Sequence, residues 1–472
     1  MKFKKLLSLS AISLTTLTPL ATLSCNLYED IDGDTYIQLR NSEQKVLIID
    51  DKITKIRNSA LIFKHKLEEF KSNNITDLPK NLFHFNDIAL KNLKAVTVNS
   101  TTSIDDNTFA NLTGLVTVNA PKVTKIGEGA FKNAQKLNTL NLGVLTAISK
   151  ESFADTENLK TLPQFANSIT TLPQSVFVGS GIESFNNDNI TKVEKSAFYN
   201  SSIKTLTLKN VQEIGENALA APNLEKIEIS PNAKLHPLAF GSKLKSMPSK
   251  MFDANGFLIY NETLYGFDLA KYKTANPHAT EIVLPDNVKT ISGKVFEKKN
   301  TGDFKTIKAN HVTTVSTNAF SSNSTIESII LPEAIKVETD AFAKINKLKT
   351  LTLNANCEFD ITPFGKTSLP QGLFNQQGLL IVNSTLFSVK LDEAALTTDT
   401  LTLPESITKI HSYAFGDKIK KITTLSANSV TYVAAKAFSG NKSITKVTFA
   451  PNAQIDEHAY DSSALANKNK KK

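Results

Sequence analysis

The chain of 472 residues is 40% hydrophobic, 8% aromatic and 21% charged, a composition that excludes an intrinsically disordered chain and a multi-span membrane protein. So few aromatic residues are a thin supply for several separate compact cores, which favours an elongated repeat array. The formal net charge of +9 comes mostly from lysines at the two ends, so a folded basic face that binds nucleic acid is not expected.

Residues 1–24 begin with Lys2, Lys4 and Lys5 and continue as an uncharged, mostly apolar run. This pattern resembles a secretory signal peptide, and its serines, threonines and proline make a permanent membrane span unfavourable. The run ends at Thr22-Leu23-Ser24-Cys25, which resembles a bacterial lipobox. Thr22 and Ser24 depart from the usual pattern in a way that mollicute lipoproteins tolerate. The resemblance implies a lipid on Cys25 and a position on the extracellular face of the cell membrane, with ordinary signal cleavage as the alternative.

Residues 25–45 are predicted to form a membrane-proximal tether. Within it, Asp30-Ile31-Asp32-Gly33-Asp34 has the opening of a calcium loop. Thr35 stands where such a loop needs glycine, and Asn41 replaces the bidentate glutamate. A solvated turn is therefore predicted here, and no metal site is expected in the chain.

Internal repeats are the strongest signal in the sequence. In one clear copy, Ile126-Gly127 and Ala130-Phe131 are followed by Leu137, Leu140 and Leu142. An aromatic or leucine residue recurs every 21 to 24 residues within three runs. These positions are Phe109, Phe131, Phe153, Phe177, Phe198, Leu219 and Phe240, then Phe296, Phe320 and Phe342, then Phe415, Phe438 and Tyr460.

A period this short accommodates one brief strand, a turn and a return segment that stacks on the next coil. The alternation in Leu-x-x-Leu-x-Leu predicts the strand, and the recurrent phenylalanines are predicted to stack in one continuous core. The prediction is therefore a mainly β, or α/β, solenoid. Residues 46–95 are predicted as an N-terminal cap with degenerate repeats, and residues 96–252, 281–374 and 400–460 as regular repeats.

This pattern resembles the BspA-type leucine-rich repeat of bacterial surface proteins, through the segments from Ile126 to Leu142 and from Ile214 to Ile229. The resemblance covers roughly residues 46–460. It implies a leucine-rich repeat solenoid with a parallel sheet on its concave face and an irregular or short-helical convex side. It also implies that the protein is a binding module.

A second, longer repeat duplicates the segment that interrupts the coils. Phe252, Gly256 and Asn261 recur 122 residues later as Phe374, Gly378 and Asn383. Each copy reads as two short strands around an asparagine-centred turn, so hairpin inserts are predicted at residues 253–280 and 375–399. Tyr260 and Tyr265 on the first insert are expected to be exposed and are candidate partner-binding residues. The alternative role of both inserts is that of a spacer between coil stacks. Residues 461–472 are read as a solvated, lysine-rich tail.

Residues suited to catalysis are sparse. Cys357 aligns with Ala233 and Ala453 of other copies, which favours a buried small side chain over a nucleophile. The seven histidines are widely spread and never spaced as in a helical zinc site. No catalysis, cofactor or metal is therefore expected.

One column of hydroxyl side chains is predicted to point outward from the sheet. Its members are Thr117, Thr139, Thr161, Ser184, Thr205, Thr306, Ser328, Thr350 and Thr400, with Lys226, Lys421 and Lys446 interrupting it. The column is a candidate surface for a protein or glycan. The alternative is that threonine simply suits the wet side of a sheet.

These observations predict a lipid-anchored, extracellular leucine-rich repeat protein that binds host or environmental macromolecules, with adhesion as the specific role. Two alternatives stay open. One is a structural or immune-decoy lipoprotein without a specific ligand, and the other is a lipoprotein that captures nutrients or nucleic acid.

Overall fold

A computed structural model describes residues 29–466, except residues 40, 63, 81, 86–87, 299, 366–368 and 418. The chain divides into two compact units. Within the described residues, the first comprises 29–148 and 161–166, and the second comprises 149–160 and 167–466. The predicted signal peptide, Cys25 and the lysines of the tail lie outside the described residues.

Each unit is built from stacked coils, and the fold is a β-solenoid with parallel strands and little helix, as predicted. One side of a coil carries a strand of two to four residues whose side chains alternate between the core and solvent. In Thr117–Ala120, Val118 and Ala120 are fully buried while Thr117 and Asn119 face outward. We call the sheets of these strands the long-strand sheets. Their strands are Val46–Ile48, Glu69–Ser72, Ala95–Val98, Thr117–Ala120, Thr139–Leu142, Ser184–Asn186, Thr205–Leu208, Lys226–Ile229, Ile282–Val283, Thr306–Lys308, Ser328–Leu331, Thr350–Leu353, Thr400–Thr402, Thr424–Ala427 and Lys446–Phe449.

The second side of each coil carries a strand of two residues. These strands pair in parallel sheets, which we call the short-strand sheets. Their strands are Lys55–Ile56, Ser103–Ile104, Lys125–Ile126, Ala147–Ile148, Thr171–Leu172, Lys192–Val193, Glu213–Ile214, Lys234–Leu235, Thr290–Ile291, Thr314–Val315, Lys336–Val337, Glu358–Phe359, Lys409–Ile410, Tyr432–Val433 and Gln454–Ile455. A separate antiparallel pair joins His84–Phe85 and Ile88–Ala89.

The predicted phenylalanines form ladders inside the units. Phe109 stacks on Phe131 at 5.3 Å between ring centroids, and Phe320 stacks on Phe342 at 5.5 Å. Both ladders run further than the sequence indicated, because Phe83 stacks on Phe109 and Phe364 stacks on Phe342. Offset stacking of buried rings adds to the free energy of burying their apolar surface, which holds adjacent coils together.

Single residues with a left-handed backbone flank many of these rings. Asn107 and Asn111, two residues before and after Phe109, have φ angles of 57° and 58°. This geometry turns the backbone N–H groups of Asn107 and Asn111 toward the next coil, where they donate to the carbonyls of Glu128 and Lys132. Asparagine tolerates this conformation better than most residues, which explains its frequency here.

Three antiparallel hairpins interrupt the coils, and we number them in chain order. Hairpin 1 consists of Glu29–Asp32 and Thr35–Leu39, hairpin 2 of Phe257–Tyr260 and Thr263–Phe267, and hairpin 3 of Leu379–Val382 and Thr385–Val389. The sequence predicted hairpins 2 and 3, including their turns at Asn261 and Asn383, whose φ angles are 44° and 53°. Hairpin 1 lies inside the segment expected to be a tether. Its second strand pairs with Lys55–Ile56, and Tyr36 and Leu39 are fully buried, so this segment is folded onto the first coil.

In the part of the chain that the structure describes, the one α-helix is Leu269–Ala275, directly after hairpin 2. The Asp268 side chain caps it by accepting hydrogen bonds from the N–H groups of Ala270 and Lys271 at 3.0 and 3.1 Å. Tyr272 anchors it, since its buried ring packs against Phe257, Phe267 and Phe304. Short 3₁₀ turns at Leu244–Ser246, Ser249–Met251 and Gln371–Leu373 precede hairpins 2 and 3. No helix among the described residues is long and apolar enough to cross a membrane.

Candidate binding surfaces

The hydroxyl column exists on the long-strand sheets, in short runs. Thr117 lies opposite Thr139, Thr205 opposite Ser184, and Thr350 opposite Ser328. Two predicted members are placed differently. Thr161 is exposed but lies outside any strand, because Pro163 follows two residues later and lacks the N–H that a ladder needs. Lys421 precedes the strand Thr424–Ala427, so Thr424 occupies the column position.

Lysine and glutamate side chains alternate along the edge of this column. Glu327 pairs with Lys305 at 3.2 Å and with Lys349 at 2.7 Å, from the coils on either side. Glu183 pairs with Lys160 and Lys204 in the same way, and Glu68 with Lys45 and Lys94. Hydrogen bonding to Lys349 lowers the pKa of Glu327 below its ordinary value. These ion pairs join neighbouring coils on an exposed edge, and within each group the lysine and glutamate charges offset one another.

Tyr265 is 7% exposed, so the expectation that it is an exposed hairpin residue is wrong. Tyr260 is half-buried. Both rings pack on Phe240 of the preceding coil, at centroid distances of 4.9 Å for Tyr265 and 6.2 Å for Tyr260. Burial raises the pKa of Tyr265 to about 12. Tyr265 is buried because hairpin 2 lies within the stack of coils instead of projecting from it. The side chains of the hairpin therefore pack between coils.

Cavities of the second unit lie beside hairpins 2 and 3. One, which we call the Tyr432 cleft, has a volume of about 930 Å³. Lys409, Tyr432 and Gln454 stand in register on its floor, from three successive short strands. Glu358 and Phe359 bound one end, where the strand Glu358–Phe359 is not paired with hairpin 3. This interruption of the ladder leaves the open space.

The Tyr432 cleft combines aromatic, aliphatic and amide groups with the charged side chains of Glu358, Lys409 and Asp456. Tyr432 is 41% exposed and Ile361 is 60% exposed, so an aromatic ring and an aliphatic side chain face solvent inside it. Asn356, Asn452 and Gln454 supply amide groups, each able to donate and to accept hydrogen bonds. Such a set suits a ligand that combines hydroxyl groups with an apolar ring face.

A second cavity of about 550 Å³ lies on the other side of hairpin 3. Ser388, Val389 and Lys390 of the hairpin line it together with Phe374 and Tyr413. Glu393 at its rim accepts hydrogen bonds from the backbone N–H groups of Lys420 and Lys421, which lower the pKa of its carboxyl group. The Glu393 carboxylate therefore holds the loop closed. A third cavity, of about 560 Å³, is lined by Tyr272, Asn276 and Pro285 beside the helix.

The candidate reactive groups are placed as follows. Cys357 is half-buried at the edge of the core, and burial raises the pKa of its thiol to about 12, which disfavours the reactive thiolate. His411 lies between Phe359 and Phe387, and burial lowers its pKa. Within the described ranges no three His, Cys, Asp or Glu side chains are grouped as a metal site would require. The Asp30–Asp34 segment covers the end of the first strand and the turn of hairpin 1, where Asp34 accepts a hydrogen bond from Thr54 and pairs with Lys55.

Sequence reasoning missed the Tyr432 cleft and hairpin 1. The cleft depends on the short-strand sheet, whose two-residue strands carry too little periodicity to be recognised alone. Hairpin 1 had one signal in the sequence. Gly33-Asp34 is a turn-forming pair, and it lies between two short segments that form the strands.

Comparisons with known proteins bear on the whole chain. A family model of the BspA type leucine rich repeat region matches in six copies, over residues 84–187, 143–246, 270–389 and 393–469. No curated protein matches the chain. A leucine rich cell surface protein from Faecalibacterium prausnitzii is 16% identical, with 89% of this chain and 94% of that chain covered and a TM-score of 0.35. A leucine-rich repeat protein from Bacteroides ovatus is 14% identical, with 90% and 88% covered and a TM-score of 0.31. The pneumococcal vaccine antigen PcpA is 14% identical, with 90% and 95% covered and a TM-score of 0.29.

Proposed function

Because the chain belongs to the BspA-type leucine-rich repeat family of surface proteins, we propose that it is a non-catalytic adhesive binding module. It is exported, anchored by lipid on Cys25 and displayed on the extracellular face of the cell membrane. Its ligand is a neutral glycan of the host or the environment, bound in the Tyr432 cleft.

The observation that carries the glycan assignment is the exposed ring of Tyr432 inside a cleft of about 930 Å³ rimmed by amides. A tyrosine ring presents a flat apolar face with a polar tip, and amides can satisfy hydroxyls as donors or acceptors. The hydroxyl column of the long-strand sheet lacks such an aromatic anchor, and aromatic residues dominate the energetics of most binding sites.

Binding to an array of neutral and sialylated oligosaccharides tests the ligand class. We expect saturable binding of neutral glycans that falls at least about tenfold in Tyr432→Ala, because the ring supplies the apolar contact. Thr350→Ala, on the hydroxyl column, is the matched control and leaves binding unchanged. Loss of binding in Thr350→Ala but not in Tyr432→Ala would move the site to the sheet. Absence of any saturable binding would favour a coat or decoy lipoprotein.

Incorporation of labelled fatty acid tests the anchor. We expect the full chain to be labelled in cells and to partition into detergent, while Cys25→Ser is unlabelled. Equal labelling of the two chains would disprove lipid attachment at Cys25.

A further inference from the structure

The three hairpins share one backbone plan. In hairpin 2, Phe257 pairs with Phe267 and Tyr260 with Thr263, and the register shifts between Leu258 and Ile259. Hairpin 3 and hairpin 1 repeat the same pairings and the same shift, between Leu380 and Ile381 and between Asp30 and Ile31. In each case the second strand continues as a parallel pair with the next short strand. Each hairpin therefore begins a block of coils.

Each block also ends in the same way. We call the closing segments end coil 1 (residues 231–240), end coil 2 (354–364) and end coil 3 (450–460). All three carry an asparagine followed by a small residue and then a two-residue strand: Asn232-Ala233, Asn356-Cys357 and Asn452-Ala453. Hairpin 2 follows end coil 1, and hairpin 3 follows end coil 2.

At both internal junctions the hairpin closes the end coil before it. Asn261 donates from its side-chain amide to the Pro231 carbonyl, and Asn383 donates to the Asn354 carbonyl at 2.9 Å. Tyr265 packs on Phe240, and Phe387 packs on Phe364 at 4.9 Å. Hairpin 3 is shared between two cores, since Leu380 and Phe387 belong to the core of the preceding block and Leu386 to that of the next.

A third contact comes from the residue that follows the first short strand of each block. Ser292 donates from its hydroxyl to the Pro237 carbonyl of end coil 1. His411 occupies the same position in the next block, and its ring lies against Phe359 of end coil 2. In the first block this position is Arg57, whose backbone N–H donates to Tyr36 just as those of Ser292 and His411 donate to Leu264 and Leu386.

In the part of the chain that the structure describes, hairpin 1 follows no end coil and end coil 3 precedes no hairpin, so each is one half of such a junction. Their apolar positions are more exposed than at the internal junctions. Ile31 is 43% exposed, whereas Ile259 and Ile381 at the same register position are each packed against the core of the block that their hairpin begins. Ile455 is 40% exposed, whereas the equivalent Phe359 is packed against the core.

The polar residues of these two halves are complementary. Arg57 is exposed on the side that would face the end coil. The position equivalent to Pro237, the partner of Ser292, is Glu457 in end coil 3, and Asp456 precedes it. Arg57 thus stands where Ser292 reaches the backbone carbonyl of Pro237, and Glu457 adds a side-chain carboxylate at the position equivalent to Pro237. At the position of the contact between Tyr260 and Phe240, hairpin 1 has Asp32 and end coil 3 has Tyr460. In a junction between two molecules, the Asp32 carboxylate would face the Tyr460 hydroxyl, which can donate to it.

We propose that hairpin 1 of one molecule docks onto end coil 3 of a second copy, reproducing between molecules the junction that the chain makes twice within itself. The contact is heterologous, so every added copy presents a new unoccupied hairpin 1 or end coil 3. The partner is the chain itself, and the assembly grows head to tail.

Light scattering and sedimentation of the full chain carrying Cys25→Ser, kept in a mild detergent, test the proposal. We expect a mass that rises with concentration above that of one protomer. Arg57→Glu and Ile455→Glu each move this rise to at least about tenfold higher concentration, because each places a carboxylate against an acidic or apolar partner. Ile335→Glu changes an equally exposed isoleucine (50% exposed) outside both halves and leaves association unchanged.

Two combinations separate docking from a loss of folding. An equimolar mixture of Arg57→Glu and Ile455→Glu is expected to stop at a dimer. The unaltered hairpin 1 of Ile455→Glu can dock onto the unaltered end coil 3 of Arg57→Glu, and the two remaining halves are both altered. Combining Arg57→Glu with Glu457→Arg in one chain restores growth by exchanging the charges. A wild-type chain that stays monomeric at about 100 µM, association that ignores the charge variants, or a mixture without dimers would each overturn the proposal.

Discussion

The two internal junctions hold the same backbone arrangement with different side chains. At the first, Tyr260 and Tyr265 of hairpin 2 both pack on Phe240. At the second, Phe387 alone lies between Phe359 and Phe364, at 4.7 and 4.9 Å. The strand pairings and the register shift are the same. Backbone register is thus the fixed part of a junction, and aromatic filling can be exchanged as long as the volume is kept.

The connection that follows each hairpin differs more. After hairpin 2 it forms the helix Leu269–Ala275, which closes an aromatic cluster around Tyr272. After hairpin 3 it is three residues shorter and has no helix, and the aliphatic residues Leu379, Val389 and Ile422 stand in for the aromatic ones. In this connection Glu393 secures the loop by accepting from the backbone N–H groups of Lys420 and Lys421. The connection after the hairpin is thus the part of a junction that tolerates change. Four experiments test how the two junctions differ.

Truncating the central ring of the second junction should have the largest effect. We expect Phe387→Ala to lower the free energy of unfolding by about 3–5 kcal/mol, because the ring is buried against two phenylalanines and leaves a cavity. Tyr265→Ala should cost less, since Tyr260 still covers Phe240. Urea denaturation followed by circular dichroism measures both. Thr350→Ala, on the sheet surface, should stay within about 0.5 kcal/mol of the wild type. Equal losses in the two ring variants would mean that the junctions do not differ in this way.

Removing the Tyr272 hydroxyl should destabilise the first junction and leave the second unchanged. The Tyr272 hydroxyl donates to the Glu281 carbonyl and accepts from the Val283 N–H, both at 3.0 Å. We expect Tyr272→Phe to cost about 1 kcal/mol, because two part-buried backbone groups lose this hydrogen-bond partner. Hydrogen exchange at Val283 should accelerate, while that of Leu386 in hairpin 3 should not. Tyr432→Phe, at an exposed ring, is the control.

The stability lost on replacing each turn asparagine by alanine should follow the length of its hydrogen bond, with the larger loss for the shorter bond. Asn383 donates to Asn354 at 2.9 Å, whereas Asn261 donates to Pro231 at 3.4 Å. We expect Asn383→Ala to cost about 1–2 kcal/mol, from the lost bond and the left-handed φ, and Asn261→Ala to cost less. Asn383→Gly separates the two causes, because glycine accepts the φ but cannot make the bond. A larger loss in Asn261→Ala would reverse the ranking and argue against the hydrogen bond as the cause.

Acidification should loosen the second junction more than the first, with the smallest effect of the four. At the first junction burial also lowers the pKa of His236 in end coil 1, but the nearby Glu216 opposes that shift. Burial lowers the pKa of His411, so its stabilising neutral form is fully present above the unfolded pKa of about 6.5. That stability is lost as the pH falls from there through the lowered folded value. Thermal unfolding between pH 7.5 and pH 5 should show the decline, and His411→Ser, which copies the Ser292 of the first junction, should flatten it. An unchanged slope in that variant would exclude His411 as the titrating group.

The sequence predicted the coils well because the period of 21 to 24 residues leaves few alternatives, and every phenylalanine of the series is buried. It also predicted hairpins 2 and 3 through their asparagine turns. It failed at Tyr265, because the alternation of a strand does not reveal whether one or both of its faces are covered. In Thr263–Phe267, Leu264, Tyr265 and Gly266 are all buried. It failed at Thr161 because spacing alone ignored the missing N–H of Pro163.

Hairpin 1 shows a different limit. Its acidic residues and its glycine suggest a solvated loop when judged locally, and only the register shared with hairpins 2 and 3 reveals its role. The Tyr432 cleft was equally hidden, because it arises where a strand ladder stops, and a ladder can be seen to stop only in three dimensions. The lipid anchor on Cys25 and the ligand stay predictions.

The phenylalanine ladders have a mechanical consequence for a surface protein. Each ring touches the rings about 22 residues away along the chain, so a coil depends almost entirely on its two neighbours. A pulling force applied to the ends of a unit therefore works against one terminal coil at a time. Such a stack peels gradually and dissipates tension over many small steps, where a single compact core would rupture at once. Because the neighbours are close in sequence, peeled coils can wind back onto the remaining stack without a long search.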